Sequence, residues 1–110
     1  MYNHIVFWKF KGNKEEKENL SKIVKTKLDS LPAIIPEIVK YETAINIGNY
    51  GASFYDISLI STFKSEADFW KYTKYQVHDE VVDFIKSVQD SEHIVDYIKI
   101  INKLKTSYGN

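Results

Sequence analysis

The segment that most restricts the fold is "YNHIVFWKF", Tyr2–Phe10, which is short, β-branched and aromatic. This composition predicts a strand that is buried on both faces. Its apolar side chains alternate between the two faces, with Val6, Trp8 and Phe10 on one and Ile5 and Phe7 on the other. A last strand is predicted over residues 93–101, "HIVDYIKII", with the same two-sided pattern. Both strands therefore need cover on each face of their sheet.

Helical and extended patterns alternate between these two strands. Apolar residues at helical spacing predict a helix that begins at Lys14, and Pro32 and Pro36 end it. Residues 38–48 and 54–63 are predicted strands, and residues 49–53 and 89–92 are predicted turns. Ser65 and Asp68 form a capping-box-like start to a second helical segment, whose apolar register changes at His78.

The predicted order is β-α-β-β-α-β, which indicates a ferredoxin-like α+β fold with an antiparallel four-stranded sheet and helices on one face. Two helices cover only one face of such a sheet. We therefore expect a second copy of the chain to cover the other face, in a homodimer packed sheet to sheet as a dimeric α/β barrel. Residues 1–101 are assigned to this domain and residues 102–110 to a polar C-terminal tail.

Composition excludes several partner classes. Fifteen Lys and Arg balance fifteen Asp and Glu, which argues against a nucleic-acid or anionic-membrane surface, because both need a basic patch. The chain has no cysteine, hence no thiolate metal site or disulfide. No apolar run approaches the ~20 residues of a membrane span, and the apolar start is too short for a signal peptide. We expect a cytoplasmic protein without a nucleic-acid or membrane partner.

His78 is the first candidate for chemistry, because its polar ring lies on the apolar face of a predicted helix. Burial favours neutral imidazole, which can act as a base near neutral pH if a carboxylate holds its other nitrogen. Asp96 is the candidate carboxylate, since it shares its strand side with Ile94 and Ile98. The alternative is that His78 and Asp96 hydrogen-bond each other and only satisfy the core.

Tyr72 is the second candidate, because its hydroxyl could donate a hydrogen bond to a developing oxyanion. The alternative is that Tyr72 is an amphipathic helix residue whose hydroxyl lies in water. Residues six apart on a continuous helix are separated by about 600°, or roughly 240° around the axis. Tyr72 and His78 therefore face one cavity only if the helix breaks between them. The register change at His78 favours such a break.

His4 shares a strand face with Val6 and Trp8, so it is expected to point into the same cleft. Three histidines could in principle hold zinc. His93, however, falls on the strand parity opposite to Asp96, and no acidic cluster joins the histidines. We therefore predict no metal and no cofactor.

Several segments together resemble one family, the stress-responsive α/β-barrel (Dabb) domain. They are "HIVFWKF", "LPAIIPEI", "YDISLISTFKSEADFWKY", "VHDEVVDFI" and "HIVDYIKI", and they span about residues 2–100 in the family's order. The resemblance implies ferredoxin-like subunits paired into a β-barrel dimer. It also implies a likeness to olivetolic acid cyclase, a plant enzyme of the family that closes a polyketide thioester by an aldol step without metal or cofactor.

The resemblance also implies roles for single residues. His78 matches the base of the cyclase, Tyr72 the assisting tyrosine, and Asp96 and His4 two further site positions. The family's common His-Pro-x-His is here Tyr75-Gln76-Val77-His78, so this chain lacks the proline that would break the helix. Strand parity and the match to the family's pocket together predict that the cleft is lined by Val6, Trp8, Leu28 and Leu59. The alternative for these four side chains is packing in the core.

These observations leave three functional hypotheses. The first is a small protein that binds an apolar or aromatic metabolite between sheet and helices, with a cofactor-free cyclase or lyase as its catalytic form. The second is a non-enzymatic, structural stress-response homodimer with a filled cleft. The third is a cofactor-independent monooxygenase on the same barrel. An open cleft beside His78 would favour the first hypothesis over the second.

Overall fold

Four strands and three helices follow one another along residues 1–100, the part of the chain that this computed structural model describes. They are β1 (Tyr2–Phe10), α1 (Lys14–Asp29), β2 (Ile38–Ile45), β3 (Ile57–Phe63), α2 (Glu66–Tyr72), α3 (Gln76–Val88) and β4 (Gln89–Ile98). The predicted β-α-β-β-α-β order and ferredoxin-like α+β fold are confirmed, with the second helical segment split in two. The polar tail predicted at residues 102–110 lies outside the described residues.

The sheet is antiparallel throughout and has the strand order β2-β3-β1-β4. β1 lies inside the sheet, where Val6 pairs with Leu59 of β3 on one side and with Ile94 of β4 on the other. An interior strand makes ladder bonds along both edges and packs on both faces. This position accounts for the β-branched and aromatic composition of β1.

One face of the sheet carries the helices and the hydrophobic core. The side chains of β1 that point to this face are almost all buried, and so are their neighbours on β3. The core consists of Tyr2, Val6, Trp8, Phe10, Val24, Leu28, Leu31, Ile35, Ile57, Leu59, Phe63, Phe69, Tyr72, Val81 and Ile85.

The other face of the sheet, here called the outer face, keeps much of its apolar surface exposed. Ile5 and Phe7 are half-buried, whereas Ile60, Val95 and Tyr97 are 40%, 54% and 46% exposed. β4 is also exposed on the helix-bearing face, at Ile94 and Ile98. The chain by itself therefore covers β1 more completely than β4, although both strands have the same two-sided pattern.

α1 begins with a complete capping box. Asn13 accepts a hydrogen bond from the Glu16 backbone N–H at 2.9 Å, and the Asn13 backbone N–H donates to the Glu16 carboxylate at 2.8 Å. Gly12, with φ of 115°, makes the turn from β1 into this cap. The helix ends at Asp29, ahead of Pro32, and the chain continues through a connector in which Leu31 and Ile35 are buried.

The break between α2 and α3 is present although no proline makes it. Ser65 caps α2 by accepting from the Asp68 backbone N–H at 3.2 Å, as the capping pattern predicted. α2 then stops at Tyr72, and Tyr75 adopts an extended conformation as the N-cap of α3. The Tyr75 hydroxyl donates to Glu37 at 2.7 Å, so a tertiary contact fixes the residue at which the new helix starts.

Several predicted boundaries are wrong. Residues 89–92 belong to β4 and are not a turn, because Gln89 pairs with Phe10 and Glu92 pairs with Trp8. This pairing with an interior strand outweighs the weak strand preference of a polar segment. β2 and β3 are shorter than predicted: β2 ends at Ile45, and β3 begins at Ile57.

Within residues 1–100, the helices are all too short or too polar to cross a bilayer.

Replacing Asn13 with Ala is expected to lower the free energy of unfolding by about 1 kcal/mol, because an orphan helix N–H loses its acceptor. Denaturant unfolding followed by circular dichroism measures the change. Asn13→Asp is the matched control, since aspartate keeps the cap oxygen and should retain wild-type stability. Equal destabilisation by both variants would contradict the role of the cap.

Candidate functional site

A cleft of about 240 Å³ opens between the helix-bearing face of the sheet and the helices. Of the predicted site residues, all but Asp96 line it, namely His4, Val6, Trp8, Leu28, Leu59, Tyr72 and His78. β1 supplies the floor, and α1 and α3 supply apolar walls. The two helices on either side of the break supply Tyr72, at the end of α2, and His78, at the start of α3. The structure thus brings together residues that are far apart in the chain.

His78 lies in the first turn of α3 and is largely shielded from water. Burial lowers the pKa of its imidazole below the ordinary 6.5. Asp79 and, more weakly, the Thr73 backbone oppose this effect, and His4 adds a smaller lowering. The His78 Nδ1 lies 3.4 Å from the Asp79 carboxylate, which is long for a hydrogen bond, and Asp79 is exposed. The net effect favours a neutral imidazole that can accept a proton.

The predicted pairing of His78 with Asp96 is wrong. Asp96 binds instead to two residues of β1, since Nδ1 of His4 lies 2.6 Å from its Oδ1 and the Tyr2 hydroxyl donates to its Oδ2 at 2.6 Å. The physical reason is the sheet register, in which His4 and Asp96 are direct cross-strand partners. His78 comes from a helix and faces the cleft from the other side.

Tyr72 and His78 do face the same cavity. Their rings meet edge to face with centroids 4.5 Å apart, an arrangement that the helix break makes possible. Tyr72 is only 2% exposed, so the alternative with its tip in water is wrong. Its hydroxyl is 2.8 Å from the Tyr41 hydroxyl. Burial raises the pKa of Tyr72 to about 12, so the phenol stays protonated and can donate a hydrogen bond.

Sequence reasoning missed Tyr41 and Tyr2. Tyr41, on β2, sits behind Tyr72, and burial together with Tyr72 raises its pKa. Burial and the hydrogen bond to Asp96 raise the pKa of Tyr2 to about 12. The signal for Tyr2 was available, because it shares the strand parity of His4. The signal for Tyr41 was weak, because the alternation of β2 is imperfect.

His4 is held in place on three sides. Asp96 binds its Nδ1, its ring lies 4.7 Å from that of Phe69, and the Ser61 hydroxyl donates to its backbone carbonyl at 2.8 Å. Phe69 also stacks on Tyr2 at 4.8 Å. The two donors to Asp96 are therefore packed against the same aromatic ring, which restricts both to their observed positions.

Val6, Trp8, Leu28 and Leu59 belong to the hydrophobic core and at the same time line the cleft. The two alternatives given by the sequence, packing in the core and lining the cleft, therefore both hold for these side chains. Apart from His4, Tyr72, Thr73, His78, Lys86 and Glu92, the lining is apolar. Such a site accepts an apolar body and offers a few polar groups to orient it.

The third histidine lies on the outer face, where Nδ1 of His93 contacts the Tyr55 hydroxyl. The register places His93 opposite Phe7, away from the cleft. Within residues 1–100, no group of three or more His, Cys, Asp or Glu side chains is arranged to hold a metal ion.

Comparisons with known proteins agree with this fold. The family model described as the Stress Responsive A/B Barrel Domain, Dabb, matches residues 2–99. A dimeric protein of unknown function from Bacteroides fragilis, with a ferredoxin-like fold, is 27% identical, with 89% of this chain and 95% of that chain covered and a TM-score of 0.80. Among curated proteins, none matches the sequence.

Two more distant structures share the fold. A hydroxynitrile lyase from Passiflora edulis is 21% identical, with 92% of this chain and 94% of that chain covered and a TM-score of 0.76. A Dabb family protein from Mesorhizobium loti is 17% identical, with 91% and 97% covered and a TM-score of 0.73.

We expect the stability contributed by His78 to fall in acid. Its folded-state pKa is below 6.5, so the unfolded chain takes up the proton first as the pH falls. The contribution is present above the unfolded pKa and is lost as the pH falls through the folded pKa. We compare the free energy of unfolding of wild type with that of His78→Gln. The difference, wild type minus variant, should be smaller at about pH 5 than at about pH 8.

Denaturant titrations of both proteins measure this difference. As a control, the difference should stay constant between about pH 8 and about pH 9, where His78 is neutral in both states. A difference that is the same in acid and at neutral pH would show that folding leaves His78 unperturbed.

Proposed function

Because the chain belongs to the stress-responsive α/β-barrel (Dabb) family, we propose that it binds a small apolar or aromatic metabolite in the cleft between sheet and helices. The observation that carries this proposal is that the cleft beside His78 is open and lined by His4, Trp8 and Tyr72. Its volume, about 240 Å³, is just below the roughly 300–1,000 Å³ of ordinary ligand sites, which suits a small ligand.

The catalytic form of this proposal is a cofactor-free lyase or cyclase of the aldol type. His78, favoured as neutral by burial, removes a proton α to a carbonyl group. Tyr72, kept protonated by its raised pKa, donates a hydrogen bond to the carbonyl oxygen as negative charge develops there. This reaction class rests on the match of His78 and Tyr72 to the plant polyketide cyclase that the sequence resemblance implies; the hydroxynitrile lyase from Passiflora edulis, at 21% identity, shares the fold alone.

The two alternative functions have less support. A structural stress protein with a filled cleft does not account for an open cleft with histidines on two of its sides. An antibiotic biosynthesis monooxygenase shares the fold at 14% identity and a TM-score of 0.73. That likeness concerns the fold alone.

We also propose that the protein is a homodimer packed sheet to sheet. The outer face exposes Ile60, Val95 and Tyr97 side by side with the half-buried Ile5 and Phe7, and contiguous apolar patches of this kind mark interfaces. Relatives from Bacteroides fragilis and Thermobifida fusca are described as dimeric. A second copy would bury the same patch on both subunits around a twofold axis.

A screen of thioesters and small ketones tests the catalytic form. His78→Ala is expected to lower turnover by about 100-fold or more, because a positioned general base contributes roughly 10²–10⁴-fold. The matched control is His93→Gln, which alters a histidine on the opposite face of the sheet. Turnover that His78→Ala leaves unchanged would rule out this residue as the base.

Val95→Lys is expected to convert the protein to a monomer at micromolar concentration, since it places a charge inside the proposed interface. Light scattering with size-exclusion chromatography measures the mass in solution. Ile47→Lys is the control, because Ile47 is 96% exposed and lies outside the sheet. A wild-type protein that is monomeric at micromolar concentration and fully folded would refute the dimer.

A further inference from the structure

Asp96 uses both of its carboxylate oxygens in short hydrogen bonds on the helix-bearing face of the sheet. His4 Nδ1 lies 2.6 Å from Oδ1, and the Tyr2 hydroxyl donates to Oδ2 at 2.6 Å. The Tyr2 distance is typical of an O–H···O bond to a carboxylate. With both oxygens bound, the Asp96 carboxylate has a fixed orientation next to His4.

A carboxylate at Nδ1 has two consequences for His4. It fixes a proton on Nδ1, and it holds the orientation of the ring. Since Asp96 occupies Nδ1, the other ring nitrogen, Nε2, is left for a ligand in the cleft that His4 lines. In the imidazolium form this nitrogen carries a proton that can be donated.

The two histidines of the cleft lie in opposite environments. Burial disfavours the protonated form of His78, whose Nδ1 lies 3.4 Å from the exposed Asp79 carboxylate, whereas Nδ1 of His4 lies 2.6 Å from the Asp96 carboxylate. His4 lies on the sheet and His78 on α3, and both line the cleft, so a ligand between them contacts both. Two imidazole groups in such different surroundings are suited to act as base and acid in one reaction.

We propose that His4 is the general acid of this site, paired with His78 as base, and that Asp96 and Tyr2 are positioning residues acting through it. The assignment rests on the proposed aldol-type function and specifies its substrate class. The substrate is a linear dicarbonyl compound with one carbonyl group near Tyr72 and His78 and the other near His4.

The aldol step balances with these two groups. His78 takes the proton from the carbon α to the first carbonyl, and the resulting enolate carbon forms a bond to the carbon of the second carbonyl. The π-electron pair of that second carbonyl moves to its oxygen, which receives the proton from Nε2 of His4. One proton is taken and one is given, and exchange with solvent resets both histidines. A lyase runs the same steps in reverse.

A single probe, 2,6-heptanedione in deuterated buffer, separates the two roles. Proton NMR records both deuterium exchange at the α-carbons, which needs only the base, and ring closure to the cyclic hydroxyketone, which also needs the acid. His4→Gln is expected to slow ring closure by about 100-fold while exchange stays within about threefold of wild type. His78→Gln should slow both processes.

The positioning residues have their own readout in the ¹⁵N spectrum of the imidazole groups. Asp96→Ala is expected to abolish the fixed Nδ1 proton of His4 and to slow ring closure more than exchange. Tyr2→Phe, which keeps the ring on Phe69, should retain the Nδ1 proton and reduce ring closure less than Asp96→Ala. The controls are Tyr50→Phe, which removes the hydroxyl of an exposed tyrosine, and His93→Gln.

The outcomes distinguish the two proposals. Two results in His4→Gln would overturn His4 as the acid: an equal loss of exchange and ring closure, or ring closure at the wild-type rate. Either result leaves the proposed function standing. If the probe shifts the Trp8 indole resonance yet wild type catalyses neither process, the site lacks the proposed base, and both catalytic proposals fail. Absence of any shift at Trp8 would overturn ligand binding in the cleft and, with it, the role of His4.

Discussion

The antiparallel pairing of β1 with β3 and β4 is the constraint on which the rest of the structure depends. It places β1 inside the sheet and sets the register that makes His4 a direct neighbour of Asp96. A shift of one residue in the β1–β4 ladder would place His4 and Asp96 on opposite faces of the sheet. The floor of the cleft, the fixed imidazole and the apolar outer face are all results of this one register.

The cleft combines an apolar enclosure with groups whose charge states are set by their surroundings. Tyr72 stays protonated because it is buried, and His78 is favoured as neutral for the same reason. His4 has a different environment, because a carboxylate that also binds the Tyr2 hydroxyl lies at its Nδ1. The proposed division of the roles of base and acid between the two histidines depends on this difference.

The helix break shows how tertiary contacts replace a local signal. A proline would make the break by itself, whereas here Tyr75 is extended and is anchored through its hydroxyl to Glu37. The result is the same for the site, because Tyr72 and His78 meet at 4.5 Å although they are six residues apart. A sequence pattern that requires the proline would therefore fail to predict the helix break in this chain.

The sequence by itself determined the order of elements, the two-sided character of β1, the capping of α1 and α2, and the parity that groups His4 with Val6 and Trp8. These are local properties, because they follow from the periodicity of side chains along one element and from hydrogen bonds within three or four residues. Only the tertiary structure decided the partner of Asp96, the contribution of Tyr2 and Tyr41, and the pairing of residues 89–92 into β4. Those depend on the register between strands and on how helices lie across the sheet, and both are set by packing among residues far apart in the chain.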